Sequence, residues 1–135
     1  MEIDTELKEK VALLAQEYNL SCVVLFGSQA TGKTHKLSDT DIAFMADRNV
    51  DYAEKFEIEN DFKETLKIKD IELVNMRNVS PLFMKQISDK GKLLYEDSRG
   101  RFTAYRIYAF KMYVDTAPLR RMREIFLNKF IAKHA

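Results

Sequence analysis

"LFGSQATGKTHKLSDTD", residues 25–41, admits two incompatible readings. Its first half, Gly27-Ser28-Gln29-Ala30-Thr31-Gly32-Lys33-Thr34, fits a nucleotide phosphate loop: two glycines five apart, then Lys and Thr. Its second half instead joins Gly27-Ser28, after ten residues, to Asp39 and Asp41, two carboxylates one residue apart. A phosphate loop works because a long helix starts right after its Lys-Thr, aiming free amides and a dipole at the β-phosphate. Here that helix has no room. Seven residues after Lys33 the chain already enters a strand, and His35-Lys36-Leu37-Ser38-Asp39 has no helical apolar period. Asp47 stands where a partnering magnesium aspartate could lie, but the crossover helix needed between two parallel strands is missing.

The second half fits its surroundings. Residues two apart on a strand point the same way, so Asp39 and Asp41 place two carboxylates side by side, while Ile42 and Phe44 turn to the opposite, buried face. Two such carboxylates repel each other unless solvated or bridged by cations, and Mg²⁺ favours a few carboxylates plus substrate phosphates. Asp70 and Glu72 repeat the pattern on the next strand, and either can add a carboxylate. Gly27-Ser28 offers backbone amides and a hydroxyl for a triphosphate. Together these parts describe metal-assisted nucleotidyl transfer.

A chain of 135 residues with 46% hydrophobic residues is expected to be one domain with a real core. Its longest strongly apolar run, Cys22 to Phe26, is too short to span a bilayer, and the start lacks a secretion signal, so a cytoplasmic protein with no membrane contact is expected. Cys22, alone in an apolar run, reads as a core residue.

Net charge is +1, which excludes a general polyanion binder, and no direct nucleic-acid binding is expected. The total conceals an asymmetry. Residues 99–135 hold nine Lys/Arg against Asp115 and Glu124, a balance of +7, and seven of the fifteen Phe and Tyr residues; the rest of the chain is at −6.

Leu7, Val11, Leu14 and Tyr18 mark a helix over 4–18, and Ile58, Phe62 and Leu66 a second over 51–67. Strands are expected at 21–26, 41–45, 71–74 and 92–96. Ser80-Pro81 should start a helix that Gly91 stops. The remainder reads as helix, broken at Thr116-Ala117-Pro118. Within 101–114, Phe102, Tyr105, Ala109 and Met112 share a face while Ile107, Phe110 and Val114 lie on others. That surface should meet a partner, or be covered by self-association as a homo-oligomer.

Gly27-Ser28, ten residues, Asp39-Thr40-Asp41, then Ile71-Glu72-Leu73-Val74, Ser80-Pro81-Leu82 and Gly91-Lys92-Leu93-Leu94-Tyr95-Glu96, closely resembles the minimal nucleotidyltransferases of the DNA polymerase β superfamily. The similarity covers about residues 5–97. The tail, with Tyr113-Val114-Asp115 before Pro118, looks like the extension of the MntA-type antitoxins, which pair with a HEPN ribonuclease toxin. The resemblance implies an α/β (α+β) fold: a minimal nucleotidyltransferase domain over 1–97 with a small mixed sheet flanked by helices, extended by basic, aromatic-rich helix over 98–135. It implies Asp39, Asp41 and Glu72 as catalytic metal ligands for two Mg²⁺ ions, with Gly27, Ser28 and Lys33 on the nucleotide. ATP is then the donor and a toxin tyrosine the acceptor, which is protein adenylylation.

Many family members read Gly-Ser-x-Ala-Arg-Gly, and Thr31 replaces that arginine, leaving Lys33 as the nearest cation; Lys36 is a further candidate. The family's third carboxylate is usually Asp, and Glu72 adds one methylene; the family register selects it over Asp70. His35 reads as a bystander and His134 as disordered. Two other functions fit the same residues: nucleotidyl transfer to a small hydroxylated molecule, and a non-catalytic antitoxin that acts by binding alone. The chain is not itself a HEPN toxin, because neither histidine has an Arg at that family's spacing of four to six intervening residues.

Overall fold

The computed structural model describes residues 3–27 and 40–134. In chain order they form α1 (Thr5–Glu17), β1 (Cys22–Phe26), β2 (Thr40–Met45), α2 (Tyr52–Leu66), β3 (Ile71–Asn75), α3 (Pro81–Lys90), β4 (Lys92–Glu96), α4 (Arg101–Asp115) and α5 (Ala117–His134). Three helices begin on side-chain caps written in the sequence: Asp4 accepts from the Leu7 amide at 2.9 Å, Asp51 from Glu54 at 2.8 Å and Ser80 Oγ from Phe83 at 3.2 Å. The expected break falls where Pro118 puts it. His134 is helical, in the last turn of α5 and against the Phe130 ring, which corrects the expectation of disorder.

The strands make one mixed sheet in the order β3-β2-β1-β4. β1 pairs antiparallel with both β2 and β4, and β2 pairs parallel with β3. The antiparallel β1–β2 pair excludes the parallel strand, crossover helix and strand of a phosphate-loop protein. β3 is an edge strand, and α2 protects it: Glu59 Oε1 accepts from the Leu73 amide at 2.9 Å.

Both faces of the sheet are covered. Val23, Leu25, Ile42, Phe44 and Leu73 pack with Val11 and Leu14 of α1 and Ile58 and Phe62 of α2. Cys22, Val24, Phe26 and Ala43 pack on the other face with Met84 and Ile87 of α3 and Phe102, Tyr105 and Ala109 of α4. The face of β2 that carries Asp41 is therefore not open to water along its length; only its start is. Cys22 is fully buried, which pushes its thiol up to about 12, so it is a core residue as expected.

α4 is fastened at three points. The Glu96 carboxylate accepts from the amides of Gly100 at 3.3 Å and Phe102 at 3.1 Å, supplying the cap that Gly100 lacks. Arg101 bonds Asp97 at 2.9 Å and Asp47, holding the Asp97 carboxyl below its ordinary range. The Tyr105 hydroxyl donates to the Met76 carbonyl at 2.8 Å. α5 is different, since none of its residues is buried. Its direction is set by Arg120, which donates to Thr116 Oγ1 at 2.6 Å and the Tyr113 carbonyl at 2.7 Å and lies over the Tyr113 ring.

Gly91 ends α3, though not in the left-handed conformation typical of a helix-ending glycine. Its φ of −72° suits any residue. What excludes a side chain is space, because a β-carbon there would run into the Ile87 carbonyl oxygen and lie 2.5 Å from Val24 Cγ1. Gly91→Ala must push α3 off β1. It should cost about 1–3 kcal/mol, read as a lower denaturation midpoint with an unchanged slope.

Candidate functional site

β1 ends at Phe26, opposite Asp41 on β2, and Asp41 in turn is opposite Glu72 on β3. Neighbouring strands lie roughly 4.8 Å apart, so this register alone brings a turn and two carboxylates together. Phe26, Gly27, Asp41, Glu72, Val74, Phe83, Gln86 and Lys90 line one cavity of about 340 Å³. Asp41 is half-buried at its base and Glu72 exposed.

Gly27 has φ +81°, which favours glycine. A β-carbon there would overlap Asp41 Oδ2 and sit 3.2 Å from its Cγ. The absent side chain is what lets the chain turn directly over the carboxylate, leaving backbone within reach of anything that carboxylate binds.

Of the expected carboxylates, the structure joins Asp41 and Glu72. Asp70 precedes β3, is exposed and lines no part of the cavity; its carbonyl accepts from the Thr40 amide at 2.8 Å, which starts the β2–β3 ladder. Asp70 and Glu72 thus do not share this cavity. Ser28, Thr31, Lys33, His35, Lys36 and Asp39 lie outside the described residues. Among the described residues no three His, Cys, Asp or Glu side chains form a group able to hold a metal. The oxygen-only donor pair of Asp41 and Glu72 nevertheless suits a hard divalent cation such as Mg²⁺, which takes one or two protein carboxylates and completes its shell with phosphate and water.

Sequence reasoning missed one wall. Phe83, Gln86 and Lys90 are three and four residues apart on α3, one helical stripe facing the carboxylates. The spacing was readable, but nothing in it says which face of a half-buried helix meets the sheet end. Phe83 is held edge-on to Phe26, with ring centroids 5.7 Å apart.

Comparison with known proteins agrees with this geometry. The family described as polymerase beta, nucleotidyltransferase matches residues 9–100. The protein adenylyltransferase MntA of Shewanella oneidensis strain MR-1 is 33% identical over 76 residues, 56% of this chain and 54% of that protein, so the match spans about half the length of this curated relative. A toxin–antitoxin crystallised with AMP-PNP superposes with a TM-score of 0.76 at 25% identity, over 92% of this chain and 98% of that one. A complex of a tri-AMPylated Shewanella oneidensis HEPN toxin with its MNT antitoxin shares the fold, with a TM-score of 0.70 at 22% identity over 92% and 95% of the two chains. With well over half of its length matched, both carboxylate strands included, the chain belongs to the polymerase β nucleotidyltransferase family.

Proposed function

We propose that this chain is a cytoplasmic antitoxin that transfers AMP from ATP to a tyrosine hydroxyl of a helical HEPN ribonuclease toxin. The observation that carries the reading is the register of β1, β2 and β3, which sets Asp41 and Glu72 side by side under the Gly27 turn. The relative named protein adenylyltransferase and the AMP-PNP and AMPylated-toxin complexes support the donor and the acceptor. No helix among the described residues is long and apolar enough to cross a membrane.

In this reading Asp41 and Glu72, with Asp39 from the preceding segment, would hold two Mg²⁺ ions, which when bound would supply positive charge for the acceptor oxygen and the leaving pyrophosphate. The chain's own part is to place the reactants. Gly27, Ser28 and Lys33 would seat the triphosphate with its α-phosphorus toward the carboxylates. The tyrosine oxygen attacks in line, the bond to pyrophosphate breaks, and the hydroxyl proton is released.

Asp41→Asn and Glu72→Gln keep shape and lose charge. Each should reduce transfer of labelled AMP from ATP to toxin on the order of a hundredfold or more without changing the thermal midpoint. Asp70→Asn should stay active. Full activity in Asp41→Asn contradicts the assignment, and an inactive Asp41→Asn chain that still silences the toxin favours neutralisation by binding.

α5 supplies the docking surface in this reading. Leu119, Met122, Ile125, Phe126, Leu127, Phe130 and Ile131 are each at least half exposed on it. Covering the exposed half of one such side chain contributes about 0.8–1.5 kcal/mol, so covering the whole set is comparable with the roughly 4–15 kcal/mol that association costs. Arg121, Arg123, Lys129 and Lys133 on the same helix select an acidic partner surface. Because no α5 residue is buried, deleting residues 117–135 should spare folding and ATP binding and abolish co-purification with the toxin. A shortened chain that modifies the toxin at the original rate removes α5 from the interface.

A further inference from the structure

We infer that Lys90, at the end of α3, is a second cation that grips the terminal phosphates of the nucleotide. The inference rests on the nucleotidyltransferase reading and adds a residue to it.

Three observations converge on Lys90. It lines the cavity that holds Gly27, Asp41 and Glu72, and among the described lining residues it is the sole cation. Its position is fixed by packing: Gly91 touches Val24 so closely that no side chain fits, and Lys92 pairs with Leu25, so the end of α3 is pinned beside the last residues of β1 and the Gly27 turn. Finally, its ammonium makes no ion pair among the described residues, whereas Lys85, five residues earlier on the same helix, is paired with Asp89 and lies over the Tyr113 ring.

Charge gives this arrangement a purpose. A triphosphate seated in this cavity would bring negative charge beside Asp41 and Glu72, so its terminal oxygens would need a positive group on the other wall. A lysine is a compact charge on a flexible stem, able to follow phosphates that change position when pyrophosphate leaves. Along the same stripe of α3, Phe83 is apolar and Gln86 polar, so Lys90 is the charged member of this wall. A last-turn lysine also faces the negative end of its own helix, a role that predicts an effect on stability and no ligand preference.

The test is equilibrium binding to the full chain with Mg²⁺, using α,β-methylene-ATP, inorganic tripolyphosphate and AMP as separate probes. Lys90→Ala should weaken the first two about tenfold, a charge-assisted contact at an exposed site, and leave AMP within about twofold. Lys90→Arg should recover most of the loss. Lys85→Ala should match the unaltered chain, and thermal midpoints should not move. Unchanged binding of α,β-methylene-ATP by Lys90→Ala overturns the inference, as does an equal loss for AMP or a loss that tracks the thermal midpoint. If the unaltered chain binds no α,β-methylene-ATP, the inference and the nucleotidyltransferase reading fall together. If Lys90 behaves as stated but no AMP reaches the toxin, the phosphate contact stands and only the acceptor assignment fails.

Discussion

Where β1 ends, the carboxylate of Asp41 fills the volume that a side chain at position 27 would need, and the backbone there takes a φ of +81°. Two demands on one residue, conformation and space, both select glycine. The rest of the site depends on this contact. It exists because Phe26 pairs with Asp41, which requires β1 and β2 to run antiparallel, and the parallel β2–β3 pair then delivers Glu72 to the same place. A shift of one residue in either pairing would send a carboxylate to the opposite face, under α1 and α2. The burial of alternate residues on both faces of β2, Ile42 and Phe44 on one and Ala43 on the other, is what prevents such a shift.

Much of this was legible before any coordinates. The carboxylates could be read because strand period is two and strand ends are marked: apolar Cys22 to Phe26 stops at a glycine, and Ile71-Glu72-Leu73-Val74 alternates. Helix ends could be read because Asp4, Asp51 and Ser80-Pro81 are capping chemistry, local by nature. The choice between Asp70 and Glu72 could not be read from the strand itself, since both lie on the same side of an extended chain. It depends on where β3 first pairs with β2, and Thr40 meets Ile71, one residue past Asp70.

What stayed hidden involves contact between elements far apart in sequence. Gly91 reads as a helix stop, yet its φ is ordinary and its constraint is Val24, on another strand. The α3 wall of the site follows from that contact. Similarly, Arg101 counted among the basic residues of the tail, but it is bound to Asp97 and Asp47, and Arg120 is spent on the corner between α4 and α5. Composition counts charges without showing which are already paired.

Pairing changes what the charge asymmetry means. The first 98 residues carry a balance of −6, a field that opposes the approach of a polyanionic nucleotide. Of the tail's cations, Arg101 and Arg120 are already engaged, and Arg121, Arg123, Lys129 and Lys133 lie on α5, a helix with no residue in the core. In the proposed reading, capture of a nucleotide would then fall to charge at the cavity itself, where Lys90 is the sole cation among the described lining residues. On α5 itself, Arg123, Lys129 and Lys133 border the exposed Phe126 and Phe130.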